Sequence, residues 1–132
     1  WPGNLKRGSI SVKRISLDYL KDILDAVRDI KSFIQNETYE SFIQDNMRRN
    51  AVIRSLEIIG EAAKNIPDEL RDSYPDIPWK RMAGMHDKLI HGYFGVDYKS
   101  VWSLITERIS EIEQPVEQML TVQSKKETNA KI

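Results

Sequence analysis

The two histidines of this 132-residue chain, His86 and His91, both fall in one short run, MHDKLIHGYFGVD. Imidazole exchanges protons near neutrality, which most side chains do only with a strongly shifted pKa, so this run is where acid–base chemistry is open to the chain. A lone histidine at the end of a helix is ordinarily a cap whose cationic form suits the negative end of the helix dipole. The neighbours favour more than a cap. Gly92 and Tyr93 follow His91 directly, and Arg81, Asp87 and Lys88 lie close in sequence. A base, a phenol and cations gather where the backbone is expected to leave a helix.

Spacing limits what this group can do. Five residues at 3.6 per turn set His86 and His91 about 140° apart, on different faces. A metal-binding pair on one helix needs i, i+4 spacing, and the residue so placed relative to His91 is Asp87. One Asp and one His are too few for a closed site, so no metal and no cofactor is assigned. Convergence on one substrate is easier if a second copy supplies its own segment across a two-fold axis, which makes a homodimer the expected assembly.

The elements that must position this segment are helices. From Ser16, a good N-cap, Leu17, Leu20, Ile23, Leu24, Val27, Ile30 and Ile34 recur at steps of three and four, and Asn36 is a natural stop. A second, longer helix is expected from about Thr38 to Asn65, with Gly60 beside Ala62 and Ala63 permitting close approach of another helix. Pro67, Pro75 and Pro78 bound a connector containing a short helical turn, PDELRDSY. Pro78 suits the first turn of a third helix through Trp79, Met82, Met85, Leu89 and Ile90, and GYFGVD ends it. Asp97 is the expected N-cap of a fourth helix through Val101, Trp102, Ile105, Ile109 and Ile112, which Pro115 must kink or interrupt before a last piece, VEQML. Without β-alternation, repeats or a glycine-rich phosphate loop, these stripes can be buried only against one another. The fold class is therefore all-α, an up-and-down bundle of four to five helices.

Composition narrows the function classes. The absence of cysteine excludes disulfide scaffolds, thiolate metal sites and cysteine nucleophiles. No run approaches the roughly 18 apolar residues of a membrane span, so a soluble, cytoplasmic protein is expected. Twenty basic residues balance twenty acidic ones, so any nucleic-acid contact must come from a local patch. Residues 1–10, WPGNLKRGSI, read as a leader or expression scar; without Lys6 and Arg7 the balance is 18 basic against 20 acidic. The bundle domain is expected over 11–120 and a flexible polar tail over 121–132.

The run WKRMAGMHDKLIHGYFGVDYKSVW (Trp79 to Trp102), together with SLEIIGEAAKNIP (Ser55 to Pro67), resembles HepT-like proteins of the HEPN superfamily, and the likeness extends from about Ser11 to Leu120. The family's motif is Arg, four to six residues, then His, continued in HepT toxins as R-x-x-x-x-H-x-Y. His91-Gly92-Tyr93 fits its end, but His86 stands where the Arg belongs. The resemblance implies a helical bundle and metal-independent RNA cleavage. His91 would assist proton transfer as a ribose 2′-OH attacks the adjacent phosphate, Asp87 would orient it, and position 86 would stabilise the anionic transition state. It also implies a type VII-like toxin–antitoxin pair in which an MntA-type nucleotidyltransferase antitoxin transfers AMP to Tyr93. AMP adds bulk and negative charge that would exclude an RNA phosphate.

Histidine at position 86 is shorter than arginine, mostly neutral at pH 7, and lacks the planar donor fork. Three readings follow: an inactivating change, favoured because an RNA-cleaving toxin poisons its own host; a natural site with weakened or two-histidine catalysis; or a non-catalytic module that docks a nucleotidyltransferase. Arg48, Arg49 and Arg54 on the second helix, with Lys88, are weaker candidates for RNA contacts, since a charged helix face is usually just solvated. Glu107, Glu111 and Glu113 read as surface charges, and Trp79, Phe94, Tyr98 and Trp102 as core or dimer-interface aromatics.

Overall fold

The computed structural model describes the backbone of residues 2–90 and 95–130 and the side chains of residues 15–85, 87 and 95–129. The apolar steps of three and four build α1 (Pro2–Ile34), which buries Leu20, Ile23, Val27 and Ile30 completely. Ser16 lies inside this helix and is buried, so it is not the expected N-cap. Gly3 and Gly8 each cost a helix about 1 kcal/mol, which does not stop propagation from the packed turns that follow, and Pro2 suits a first helical position. Asn36 does end the element: it takes the left-handed conformation (φ 63°), and Glu37 N–H donates back to the Ile34 carbonyl at 3.0 Å.

The expected second helix is two. Thr38 caps α2 (Tyr39–Gln44) by accepting the Ser41 N–H at 3.1 Å, while Ser41 Oγ accepts the Thr38 N–H at 2.9 Å. Asp45 then turns extended and caps α3 (Asn46–Asn65), accepting the Arg48 N–H at 3.0 Å. A short carboxylate side chain offers the backbone an alternative to the helical ladder, and here that alternative wins. Past the short α4 (Asp68–Asp72), Tyr74 O accepts the Trp79 indole N–H at 3.0 Å and fixes the start of α5 (Trp79–Ile90).

Asp97 caps α6 (Tyr98–Ser103) as expected. The helix then widens into a π turn over Leu104–Arg108, with Ile109 N–H reaching back five residues to Leu104 O at 3.0 Å, before α7 (Ser110–Ala130). Val101, Ile105 and Ile109 are all buried at two successive steps of four. Each such step drifts about 40° on a 3.6-residue helix, and a wider turn absorbs the drift. Pro115 lies within α7, so the rearrangement falls upstream of the proline and not at it. The polar run expected to fray is helical as far as Ala130.

Helix α1 packs against α3 and α7, and α3 against α5, around a core of Leu56, Ile59, Met82, Ile105, Val116 and Met119. The fold is all-α, and no described helix is long and apolar enough to cross a membrane. An ion network joins α1 to α7. Arg28 Nε donates to Glu113 at 3.2 Å and its terminal nitrogen to Glu117 at 2.9 Å, while Lys31 donates to the other Glu113 oxygen. The Lys31 hydrogen bond, followed by that of Arg28, holds the Glu113 carboxyl below its ordinary value against the opposing effect of burial. A carboxylate with a depressed folded pKa stabilises above its unfolded pKa, and loses that contribution as pH falls through the folded value. Glu113→Gln is therefore expected to cost about 1 kcal/mol in urea denaturation at pH 7. The gap from the parent should close as pH drops below about 4.

Candidate active site

Helix α5 carries the first half of the histidine segment. Pro78 opens it without an unpaired donor, Met82 N–H bonds the Pro78 carbonyl at 3.0 Å, and Trp79 and Met82 are anchored in the core. That anchoring turns Lys80, Arg81 and Asp87 to the surface. The backbone at His86 and Lys88 is helical, but their side chains, and His91, Gly92, Tyr93 and Phe94 entirely, lie outside the described residues.

Asp87, expected to orient His91, pairs with Lys64 in the last turn of α3 and ties α5 to its neighbour. Twenty-three residues separate the pair, so no local spacing could have signalled it. Arg48 and Arg49 serve the corner between helices. Arg48 donates to Phe33 O and to Asp45 at 3.1 Å, and lies 3.2 Å from Glu37. Arg49 donates to Ile43 O and to Asn46 at 3.0 Å, with its guanidinium 5.2 Å from the Tyr98 ring centre. Carbonyls that helix ends leave open are satisfied in this way. Arg54 is exposed and loosely paired with Glu57 at 3.5 Å.

Among the aromatics, Trp79 belongs to the core, and half-buried Tyr98 and Trp102 pack against it. Glu113 is engaged by Arg28 and Lys31 as described, while Glu107 and Glu111 are exposed. Among the described residues no group of three or more His, Cys, Asp or Glu side chains is placed to hold a metal ion.

An open groove of about 1450 Å³ runs between the Pro75–Pro78 connector, α5, α6 and the π turn. Ile77, Trp79, Met85, Val96 and Leu104 supply apolar wall, and Lys80, Arg81, Lys99 and Arg108 supply cations. Its wall includes Met85 and Gly95, described residues that flank the histidine segment in the chain. Gly95 has φ +89°, a conformation that only glycine adopts cheaply, and its missing Cβ faces open space. Asp97 also reaches this wall, but its carboxylate is spent on α6. The Ser100 hydroxyl, at 2.8 Å, and then the Ser100 N–H lower its pKa.

Sequence reasoning missed three of the groove cations. Lys99 and Arg108 are nine residues apart, which on a regular helix puts them about 180° apart. With the π turn between them both line the groove. The two successive four-residue steps were the only trace of that turn.

The fold is an all-α bundle, and its open groove carries cations on residues that flank the histidine segment in the chain. The profile of the family described as "Ribonuclease HepT-like" matches residues 23–119, and the chain belongs to this HepT-like ribonuclease family. It is 48% identical over 108 residues to "Putative RNase MJ1216" of Methanocaldococcus jannaschii, covering 82% of this chain and 89% of that one. It is 45% identical over 108 residues to "Probable ribonuclease HepT" of Thermococcus cleftensis, covering 82% and 98%. A third relative, "Putative RNase TTE0752" of Caldanaerobacter subterraneus, is 44% identical over 102 residues, or 77% of this chain and 91% of the relative. No solved structure matches the chain at a significant level.

Proposed function

We propose that this chain is the toxin of a type VII-like toxin–antitoxin pair, a metal-independent endoribonuclease attenuated by histidine at position 86. The observation that carries the reading is His91-Gly92-Tyr93 in the motif's register, directly following α5 in the sequence, in a chain of the HepT-like ribonuclease family. His91 takes the proton from a ribose 2′-OH. The 2′-oxygen bonds to the adjacent phosphorus, the bond from phosphorus to the 5′-oxygen breaks, and that oxygen leaves as a hydroxyl with a proton from solvent water. The products are a 2′,3′-cyclic phosphate and a free 5′-OH.

Asp87 orients the catalytic segment while bridging to Lys64, and His86 is a reduced version of a phosphate-binding arginine. A homodimer brings two copies of the segment together, and the cytoplasm is the setting. Control comes from an MntA-type antitoxin that joins the AMP of ATP to the Tyr93 oxygen, with pyrophosphate leaving. The adduct's negative charge then repels RNA from the site.

Incubation with RNA in excess EDTA, with and without His91→Ala, tests the catalytic role. Cleavage by the parent that is lost in the variant supports it. Identical traces for the two proteins favour the alternative, a non-catalytic module that docks the nucleotidyltransferase. Co-incubation with that enzyme and ATP should add mass in AMP units to the parent and none to Tyr93→Phe.

A further inference from the structure

The described basic side chains fall into those paired within the chain, those of one groove, and the exposed Lys21, Lys125 and Lys126 elsewhere. The described cations of α1, α3 and α4, Lys21 apart, each hold a carboxylate or carbonyl partner within the chain. Lys80, Arg81, Lys99 and Arg108 hold no ion pair or hydrogen bond among the described residues, are all exposed, and all line the one groove between α5, α6 and the π turn. They come from three elements, α5, α6 and the π turn. Two of them reach the same groove across the widened turn, an arrangement a regular helix would not give.

Since the chain is neutral as a whole, its attraction for a polyanion has to be local, and four of the described unpaired cations share this groove. We infer that the groove is a track for the sugar–phosphate backbone of single-stranded RNA, with Lys80, Arg81, Lys99 and Arg108 as phosphate contacts outside the histidine motif. The track rests on the ribonuclease reading for its purpose, but not for its geometry.

The acids in the same wall shape the track. Asp97 is bound to Ser100, and Asp76 and Glu111 leave a modest positive excess, which suits a strand that must bind and leave. Among the described residues Trp79 is the aromatic ring of the groove, and it is only 7% exposed and turned into the core, so none of them offers bases a stacking platform. The track therefore reads phosphates and is tolerant of sequence.

The test is binding of a fluorescent single-stranded oligoribonucleotide whose 2′-hydroxyls are all methylated, so that it cannot be cut, over a range of salt. The full chain should bind it. The slope of log affinity against log salt should shrink by about 0.7 for each phosphate contact removed, so Lys99→Ala with Arg108→Ala, and separately Lys80→Ala with Arg81→Ala, each lower it by about 1.4. Lys21→Ala with Lys125→Ala removes two unpaired cations away from the groove and should leave the slope near its parent value. Circular dichroism confirms that each variant is folded. No binding by the parent, or equal losses in groove and control variants, overturns the track. Binding that follows the groove cations, in a protein that leaves unmodified RNA intact, keeps the track and refutes the nuclease.

Discussion

His86→Arg is expected to raise RNA cleavage in EDTA by about a hundred- to a thousandfold, the usual worth of one preorganised donor aimed at a developing oxyanion. The phosphorane-like transition state carries more negative charge on its non-bridging oxygens than the substrate does. Arginine meets that charge with a permanent cation and two parallel N–H donors, whereas histidine near pH 7 is mostly neutral and offers one. The substitution falls on α5, whose start is anchored in the core by Trp79 and Met82, and circular dichroism of the variant should match the parent. Expression of the His86→Arg chain should also slow host growth, and co-expression of the AMP-transferring partner should relieve it. If neither cleavage nor growth changes, the nuclease role is wrong.

Phe42→Ala is expected to cost about 3–5 kcal/mol, measured by urea denaturation, a large part of the roughly 5–15 kcal/mol that holds a domain together. Phe42 is fully buried although it sits on α2, a helix of six residues. So short a helix has no stability of its own, and packing must hold it in place. That packing is aromatic: Phe42 meets the Trp102 ring at 5.2 Å and the Tyr98 ring at 6.3 Å, nearly edge-on at 71°, while Tyr39 meets Trp102 at 6.3 Å. Truncating Phe42 removes two of the three ring contacts that tie α2 to α6, one of them with Tyr98, over which the Arg49 guanidinium sits. Phe42→Leu should cost much less, because it keeps most of the volume. Equal effects of the two substitutions would mean that ring packing is not what secures this corner.

What could be read from sequence was what periodicity and local chemistry determine. The stripes of α1 and α3, the stop at Asn36, the proline entry to α5 and the Asp97 cap each depend on residues within a turn or two of one another. The misses depend on distant partners or on a single competing side chain. Asp45 splits the second helix because its carboxylate captures the Arg48 N–H, and the break is held by Arg48 reaching back to Phe33 O on α1. Pro115 drew attention to the wrong place, since the ladder had already been rearranged between Leu104 and Ile109. Residue types alone marked the histidine segment, but the groove cations belong to separate elements that only the folded chain assembles.

The most direct measurement is the cleavage of one RNA by the His86→Arg chain in excess EDTA, set beside the same protein carrying His91→Ala as well. The account predicts fragments ending in 2′,3′-cyclic phosphate from the first protein, none from the second, and none from either when the 2′-hydroxyls are methylated. Cutting that persists at the same rate without the His91 imidazole would contradict it.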